Sequence, residues 1–353
     1  MRKMKKQIRK AFIASITVSL IALVTSACSK AKHVEPEKET TWKTDIYIAG
    51  SERNGYKHVA KLWKNGVPQV LSDGSNDTIA YAVTASGNDV YVVGRENMGT
   101  VGTAVVWKNG VRQRLTDGSK QALAFAVTVD QSDVYAVGKE YNGSKDVAKV
   151  WKNGVEKSLS DGKNFAYAYG VTVAEGNVYV VGEEYNGKKY VAKLWKNGVA
   201  QNLTDGSNSA SAYSVAVYKG QVYVAGDEFI GDIRVATIWK DGVAQRLADK
   251  TSSYASCIHV SEQGVFVAGG QTNGNKMLAK LWKDGMPHIL TDGANDGYAN
   301  AVALSGGEVL VVGYEDRENS NGSETEVAKL WTNGVAKNLP GTANSIFIVK
   351  SEI

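Results

Sequence analysis

The chain has 353 residues, with 41 lysines and arginines against 36 aspartates and glutamates, a formal charge of +5. Six of the basic residues lie in the first 27 positions, which hold no acidic residue, so the remainder has 35 basic and 36 acidic residues and a net charge of −1. This near-neutral remainder gives no electrostatic reason to expect nucleic acid as a partner. The two cysteines also exclude a small disulfide-stapled scaffold, so we expect a hydrophobic core to hold the fold.

Residues 1–27 predict a lipoprotein signal peptide. A basic segment is followed by an apolar run from Ala11 to Val24, which is short for a transmembrane helix. The run ends in Val-Thr-Ser-Ala-Cys, which resembles the lipobox of bacterial lipoproteins, although Thr25 stands where leucine is usual. The resemblance implies that Cys28 is lipidated and becomes the mature N-terminus. The alternative is an ordinary signal peptide with an incidental Cys28.

Residues 28–44 predict a flexible tether, because they are charged and polar and have no apolar pattern. With lipid on Cys28, the membrane is the first expected partner. The expected location is then the cell membrane or outer membrane, with the chain facing the periplasm or the exterior.

A Trp-Lys-Asn-Gly segment or a close variant occurs seven times from residue 45 onward, at spacings of 43 to 49 residues. Each unit holds four short β-type segments; in the second unit these begin near Ala80, Asp89, Ala104 and Val111. Four antiparallel strands in about 44 residues are typical of a β-propeller blade. The sequence therefore predicts an all-β, seven-bladed β-propeller over residues 45–353.

The first unit lacks an innermost strand, and the missing strand is found at the other end of the chain. The segment from Ala343 to Ile348 aligns with the innermost strand that begins at Ala299 in the seventh unit. We therefore expect the C-terminal strand to complete the first blade and remove the open sheet edge. The seven tryptophans and the small residue Cys257 are predicted to be core.

The layout from residue 45 to 350 resembles kelch-type propellers, with an inner strand, an Ile-Tyr-Val-x-Gly-like strand and two outer strands. It departs from them because only one unit has a glycine pair, Gly269-Gly270, and because tryptophan precedes the outer hairpin. It is also similar to bacterial exported proteins with repeated Leu-Trp-Lys-Asn-Gly segments, mostly of unassigned function. The resemblance implies the fold and adds little on function.

Charged residues recur where the strands end. The second strands end in glutamates such as Glu52, Glu140 and Glu184, on the face that we call the top. A carboxylate ring could bind Ca²⁺. Pairing across the hairpin, for example of Glu52 with Lys57, is the structural alternative.

One innermost-strand site near the top opening is aromatic in four units and polar in the other three. The aromatic residues are Tyr81, Phe125, Tyr169 and Tyr213. Such an arc could stack on a sugar or another flat ligand, and inter-blade packing is the alternative interpretation. These four are the predicted ligand-binding residues.

No catalytic residue, metal ligand set or cofactor motif is predicted. The histidines lack metal-ligand spacing, and His259, which departs from the repeat, is interpreted as a packed residue. The expected function is a monomeric, non-enzymatic binding module of the cell envelope with a glycan or protein ligand. The alternatives are a glycan hydrolase or lyase with its site at the channel mouth, and a scaffold for envelope assembly.

Overall fold

The computed structural model describes residues 42–248, 251–318 and 324–352. The predicted signal peptide, Cys28 and most of the predicted tether lie outside these residues. The described residues form seven four-stranded antiparallel sheets, which are the seven predicted blades. None of their segments is a helix of the length and apolarity needed to cross a bilayer.

The blades are numbered from the N-terminus. Blade 1 contains β1 (Trp42–Asn54), β2 (Lys57–Lys64), β3 (Val67–Val70) and β28 (Ser345–Glu352). Blade 2 contains β4 (Thr78–Ser86), β5 (Asp89–Met98), β6 (Val101–Lys108) and β7 (Val111–Arg114). Blade 3 contains β8 (Ala122–Asp130), β9 (Asp133–Tyr141), β10 (Asp146–Lys152) and β11 (Val155–Ser158). Blade 4 contains β12 (Ala166–Ala174), β13 (Asn177–Tyr185), β14 (Tyr190–Lys196) and β15 (Val199–Asn202). Blade 5 contains β16 (Ala210–Tyr218), β17 (Gln221–Ile230), β18 (Ile233–Lys240) and β19 (Val243–Arg246). Blade 6 contains β20 (Ser253–Ser261), β21 (Gly264–Thr272), β22 (Met277–Lys283) and β23 (Met286–Ile289). Blade 7 contains β24 (Gly297–Ser305), β25 (Glu308–Glu318), β26 (Glu324–Thr332) and β27 (Val335–Asn338).

The C-terminal strand completes blade 1, as predicted. Strand β28 pairs antiparallel with β1, with Ile346 opposite Ile48 and Glu352 opposite Trp42. Strand β1 therefore begins at Trp42 rather than Asp45, because β28 runs far enough to offer partners to the three extra residues. Both ends of the described chain are held in one sheet.

The Trp-Lys-Asn-Gly motif builds the outer hairpin of each blade. Asn109 and Gly110 have φ values of 51° and 83°, as a two-residue hairpin of the favoured type requires. The Asn109 side chain accepts a 2.8 Å hydrogen bond from the Val90 N–H, and an Asn or Asp does the same in every blade. Lys108 pairs with Asp89 at 2.7 Å and lies over the Tyr91 ring. The motif is thus structural.

The motif's tryptophan packs each blade against the one before it. All seven tryptophans are 0–2 % exposed. Trp107 of blade 2, for example, lies in a cluster with Leu62, Leu71 and Tyr47 of blade 1. Burial of such large side chains at every blade interface is the main source of packing between the sheets.

Each innermost strand from blade 2 to blade 7 has a β-bulge at the position that the sequence marked as the aromatic site. In blade 4 the register of β12 with β13 shifts between Ala168 and Gly170, so Tyr169 has no cross-strand partner. The bulge brings the backbone close to β13, where a Cβ on Gly182 would lie 1.9 Å from the Tyr167 carbonyl oxygen. Glycine at this point of the second strand lets the bulge form and re-aim the residue at its centre.

Candidate functional site

The four predicted aromatic residues form a continuous row across blades 2 to 5. Ring centroids lie 5.8 Å apart for Tyr81 and Phe125, 5.4 Å for Phe125 and Tyr169, and 5.5 Å for Tyr169 and Tyr213. Each ring is half-buried, so each packs against its neighbour and still exposes part of its surface. Inter-blade packing therefore buries part of each ring and leaves the rest exposed.

In blades 6, 7 and 1 the residue at this position is polar and donates a hydrogen bond to a backbone carbonyl. Ser256 donates a hydrogen bond to the Ala299 carbonyl at 2.7 Å, and Asn300 and Asn344 donate to Ala343 and Ala80 at 3.0 and 2.9 Å. These polar residues tie each innermost strand to the next one. The channel mouth is consequently divided into an aromatic part, blades 2 to 5, and a polar part.

A second row of side chains lies next to the aromatic row, and the sequence analysis missed it. Each blade contributes the residue that directly follows the repeated glycine of its second strand. These residues are Ser51, Arg95, Lys139, Glu183, Asp227, Gly270 and Tyr314. The charge of this position changes from blade to blade, which is the feature that could have identified it. The repeated glutamate, from which a carboxylate ring was predicted, is the next residue along the strand.

Glu183 lies beside Tyr169, the third ring of the aromatic row, and is 8 % exposed. It accepts hydrogen bonds from the Tyr169 hydroxyl at 3.0 Å and from the Ser211 hydroxyl of blade 5. Burial raises the pKa of Glu183, and the two hydroxyls oppose that shift. Tyr167 stacks on Tyr169 with the two ring planes 3° apart.

Asp227 holds the equivalent position in blade 5 and is 1 % exposed. The Arg234 guanidinium lies 2.6 Å from its carboxylate, donates to the Tyr213 hydroxyl at 3.1 Å and covers the Tyr213 and Tyr254 rings. Burial and the nearby Asp227 carboxylate raise the pKa of Tyr213 to about 12, so its hydroxyl stays protonated. A cation held between tyrosine rings and a carboxylate is therefore built into this blade.

The repeated glutamates do not form a metal site. Glu52, Glu140 and Glu184 pair with Lys61, Lys149 and Lys193 on the third strand, the last two at 3.2 and 2.8 Å. The prediction that Glu52 pairs with Lys57 was wrong. Glu52 lies opposite Val59, and Lys61, two residues further along the same face, forms the pair diagonally across the sheet. No cluster of three or more potential metal-ligating side chains occurs in residues 42–248, 251–318 and 324–352.

Two departures from the repeat have no visible catalytic geometry. His259 lies in the half of β20 nearer the bottom turn, opposite Phe266, and burial lowers the pKa of its imidazole. Blade 7 is five residues longer than the 44-residue unit, and β25 and β26 extend into the added length, with Arg317 opposite Thr325. Cys257 packs between core clusters, and burial raises the pKa of its thiol, which fits the small core residue that the sequence predicted.

Cavities of about 260–340 Å³ recur between the outer strands of neighbouring blades. They are lined by equivalent residues, such as Lys108 and Leu115 in one and Lys283 and Leu290 in another. Their repetition shows that they follow from the blade geometry.

No family model matches the chain, and no curated protein sequence matches it. Its fold is similar to that of Pyrococcus horikoshii acylaminoacyl peptidase, with 12 % identity and a TM-score of 0.52 over 85 % of this chain and 51 % of that chain. It is also similar to the β-propeller domain of the Trilobed protease from Pyrococcus furiosus, with 10 % identity and a TM-score of 0.51 over 86 % of this chain and 99 % of that chain. TolB from Acinetobacter baumannii matches with 10 % identity and a TM-score of 0.47 over 86 % of this chain and 82 % of that chain. At such identities the likeness shows the propeller fold alone.

Proposed function

We propose that the protein is a non-enzymatic binding module that takes its ligand at the top mouth of blades 2 to 5. The observation that carries this proposal is the contiguous row of half-buried rings beside Glu183 and Asp227. Ligand sites combine aromatic surface with a few placed polar groups, and this part of the mouth has both. The polar part of the same mouth has its bulge side chains committed to backbone hydrogen bonds.

A capture experiment tests the proposal. Residues 42–353 are immobilised and incubated with envelope extract, and the retained glycan and protein are measured for wild type, Tyr169→Ala and Tyr213→Ala. The matched control is Tyr56→Ala, which removes a tyrosine that is 101 % exposed in the blade 1 hairpin. We expect retention to fall for the first two variants and to persist for the control, with circular dichroism confirming the fold of each. Equal retention by all four proteins would refute the proposal.

We further propose that the module is a monomer anchored to the cell membrane or outer membrane through lipid on Cys28, facing the periplasm or exterior. The support is the sequence of the first 28 residues, with its basic segment, apolar run and cysteine. Mass spectrometry of the membrane fraction should find Cys28 modified, and Cys28→Ala should release the protein. An unmodified mature chain would remove the anchor.

A glycan hydrolase or lyase is the second candidate, and one observation favours it. Burial raises the pKa of Glu183, as a general acid requires, and Asp227 is close enough to add to that shift. Against it, Asp227 pairs with Arg234. Release of reducing ends from envelope glycans, abolished by both Glu183→Gln and Asp227→Asn, would replace the binding proposal.

The scaffold alternative requires a broad apolar surface. Seven of the fifteen exposed large hydrophobic side chains in the described residues begin an outer strand, one per blade, such as Val111, Val155 and Val199. Isolated residues of this kind are ordinary on a folded surface, so this observation does not favour a scaffold.

A further inference from the structure

The charges that follow the second-strand glycine are neutralised inside the protein in three blades. In blade 2, Arg95 lies 3.2 Å from Asp77. In blade 3, Lys139 lies 2.8 Å from Asp146. In blade 5, Asp227 lies 2.6 Å from Arg234.

Blades 3 and 5 form this ion pair between the same two positions, with the positive and negative residues exchanged. The partner residue lies at the start of the third strand in blade 3, where it is Asp146 opposite Tyr141, and at the equivalent place in blade 5, where it is Arg234 opposite Phe229. In blade 4 this place is taken by Tyr190, opposite Tyr185. A tyrosine cannot neutralise the Glu183 carboxylate, and within the described parts of the chain no lysine or arginine lies within ion-pair distance of it. The charge of Arg234 acts on it from farther away and is already paired with Asp227.

The groups around Glu183 otherwise resemble the groups that hold the Arg234 guanidinium in blade 5. In blade 5 the guanidinium is held by Asp227, by the ring of Tyr213 and by the ring of Tyr254. Around Glu183 the equivalent of Tyr213 is Tyr169, and the equivalent of Tyr254 is the smaller Ser211. The carboxylate accepts two hydroxyl hydrogen bonds and retains lone pairs for two further donors.

We propose that the Glu183 pocket binds the guanidinium group of an arginine side chain on a partner protein. The proposal rests on the proposed binding function and names its ligand chemistry. A planar guanidinium can donate two hydrogen bonds to the carboxylate and lie against the Tyr169 ring, as Arg234 lies against the equivalent Tyr213 ring one blade along. The partner's arginine supplies the charge that blades 2, 3 and 5 supply for themselves.

Calorimetric titration with N-acetyl-arginine amide tests this proposal. The paired probe is N-acetyl-citrulline amide, which has nearly the same shape without the charge. We expect saturable binding of the arginine probe and at least roughly tenfold weaker binding of the citrulline probe, because a charged hydrogen-bonded pair is replaced by a neutral one. Equal binding of the two probes would overturn the proposal.

Three variants localise the effect. Glu183→Gln should weaken arginine binding by roughly tenfold or more, whereas Glu184→Gln should leave it unchanged, because Glu184 points to the other face and pairs with Lys193. Tyr190→Arg should abolish binding and raise the melting temperature, because it supplies the missing cation from within. Binding that survives both Glu183→Gln and Tyr190→Arg would overturn the assignment.

The outcome is separable from that of the binding function itself. If the arginine probe fails while envelope capture still depends on Tyr169, the guanidinium assignment falls and the binding module stands. Tighter Glu183-dependent binding of glucosamine than of the arginine probe would overturn the assignment to a protein partner. Capture that is indifferent to Tyr169→Ala would remove the binding function together with its ligand.

Discussion

Glu183 and Asp227 occupy the same position of neighbouring blades and meet different surroundings. Asp227 has an internal counter-ion in Arg234, whereas Glu183 has two hydroxyl donors and no direct ion pair in the described residues, with Arg234 acting on it only from a distance. A buried carboxylate without a counter-ion makes the folded state less stable whenever it is ionised. Blade 4 alone carries this loss of stability, which is expected if the carboxylate serves to bind a cation.

Glu183→Gln should therefore make the protein more stable at neutral pH. The amide stays neutral and keeps an acceptor for the Tyr169 or Ser211 hydroxyl. We expect the melting temperature at pH 7 to rise by about 1–3 °C, the scale on which roughly 1 kcal/mol shifts a domain of this size. The control Glu184→Gln should lower it, because Lys193 loses its partner. A drop of similar size in both variants would contradict this account of Glu183.

The same group gives a pH dependence of definite sign. Since burial raises the pKa of Glu183 above its ordinary value of 4.5, the folded state binds more protons than the unfolded state. Stability from this group is therefore lost as pH rises from about 4.5 through the raised pKa. The melting-temperature advantage of Glu183→Gln should be near zero at pH 4 and grow toward pH 7. An advantage that is constant with pH would show that ionisation of Glu183 is not its cause.

The bulged innermost strand is the element that sets up the site. Simple side-chain alternation predicts that Ala80 and Ala82 share one face, and this prediction is wrong: Ala80 lies opposite Gly94 and Ala82 opposite Val93, so the bulge turns them to opposite faces and into different core clusters. Alternation could not show that Tyr81, between them, is an unpaired bulge residue, because a bulge is a local register shift. The glycine opposite, Gly94, was the available indication, since its Cβ would meet the Ile79 carbonyl oxygen at 1.9 Å.

Gly182→Ala tests the link between bulge and site. A methyl group would overlap the Tyr167 carbonyl, so the bulge at Tyr169 must shift or the blade must open. We expect a loss of several kcal/mol of stability, on the order of a severe steric core mutation, and loss of envelope capture. In the control Gly102→Ala, the added methyl meets mainly the side chains of Gln121 and Asn97 and should be tolerated much better. Equal stability of the two variants in denaturant unfolding would disprove this role of Gly182.

At the scale of the molecule, the sequence predicted seven closed blades and the structure confirms them. The repeat period and the hairpin chemistry both point to one repeated sheet, so local propensity and packing agree. The charge pairs were harder to predict, because partners such as Glu52 and Lys61 depend on cross-strand register. The Glu183 site was missed because the fold brings together residues of blades 4 and 5 that are distant in sequence.

Closure by β28 should be essential to the ring. Truncation after Gly341 removes the strand that pairs with β1 from Trp42 to Ala49 and leaves that edge open. We expect a lower melting temperature and concentration-dependent association through the exposed edge, measured by light scattering. Truncation after Lys350 is the control, because it removes only the exposed end of the strand. An unchanged, monomeric protein after the longer truncation would show that closure contributes little.

The central claim is that the ligand sits at the mouth of blades 2 to 5, and hydrogen–deuterium exchange on the captured complex tests it most directly. The account predicts new protection in residues 166–170, 181–185 and 210–213, where Tyr169, Glu183 and Tyr213 lie. The bottom hairpins at Asn109 and Asn153 should exchange as in the free protein. Protection confined to those hairpins or to the outer strands, with the mouth unchanged, would contradict the account.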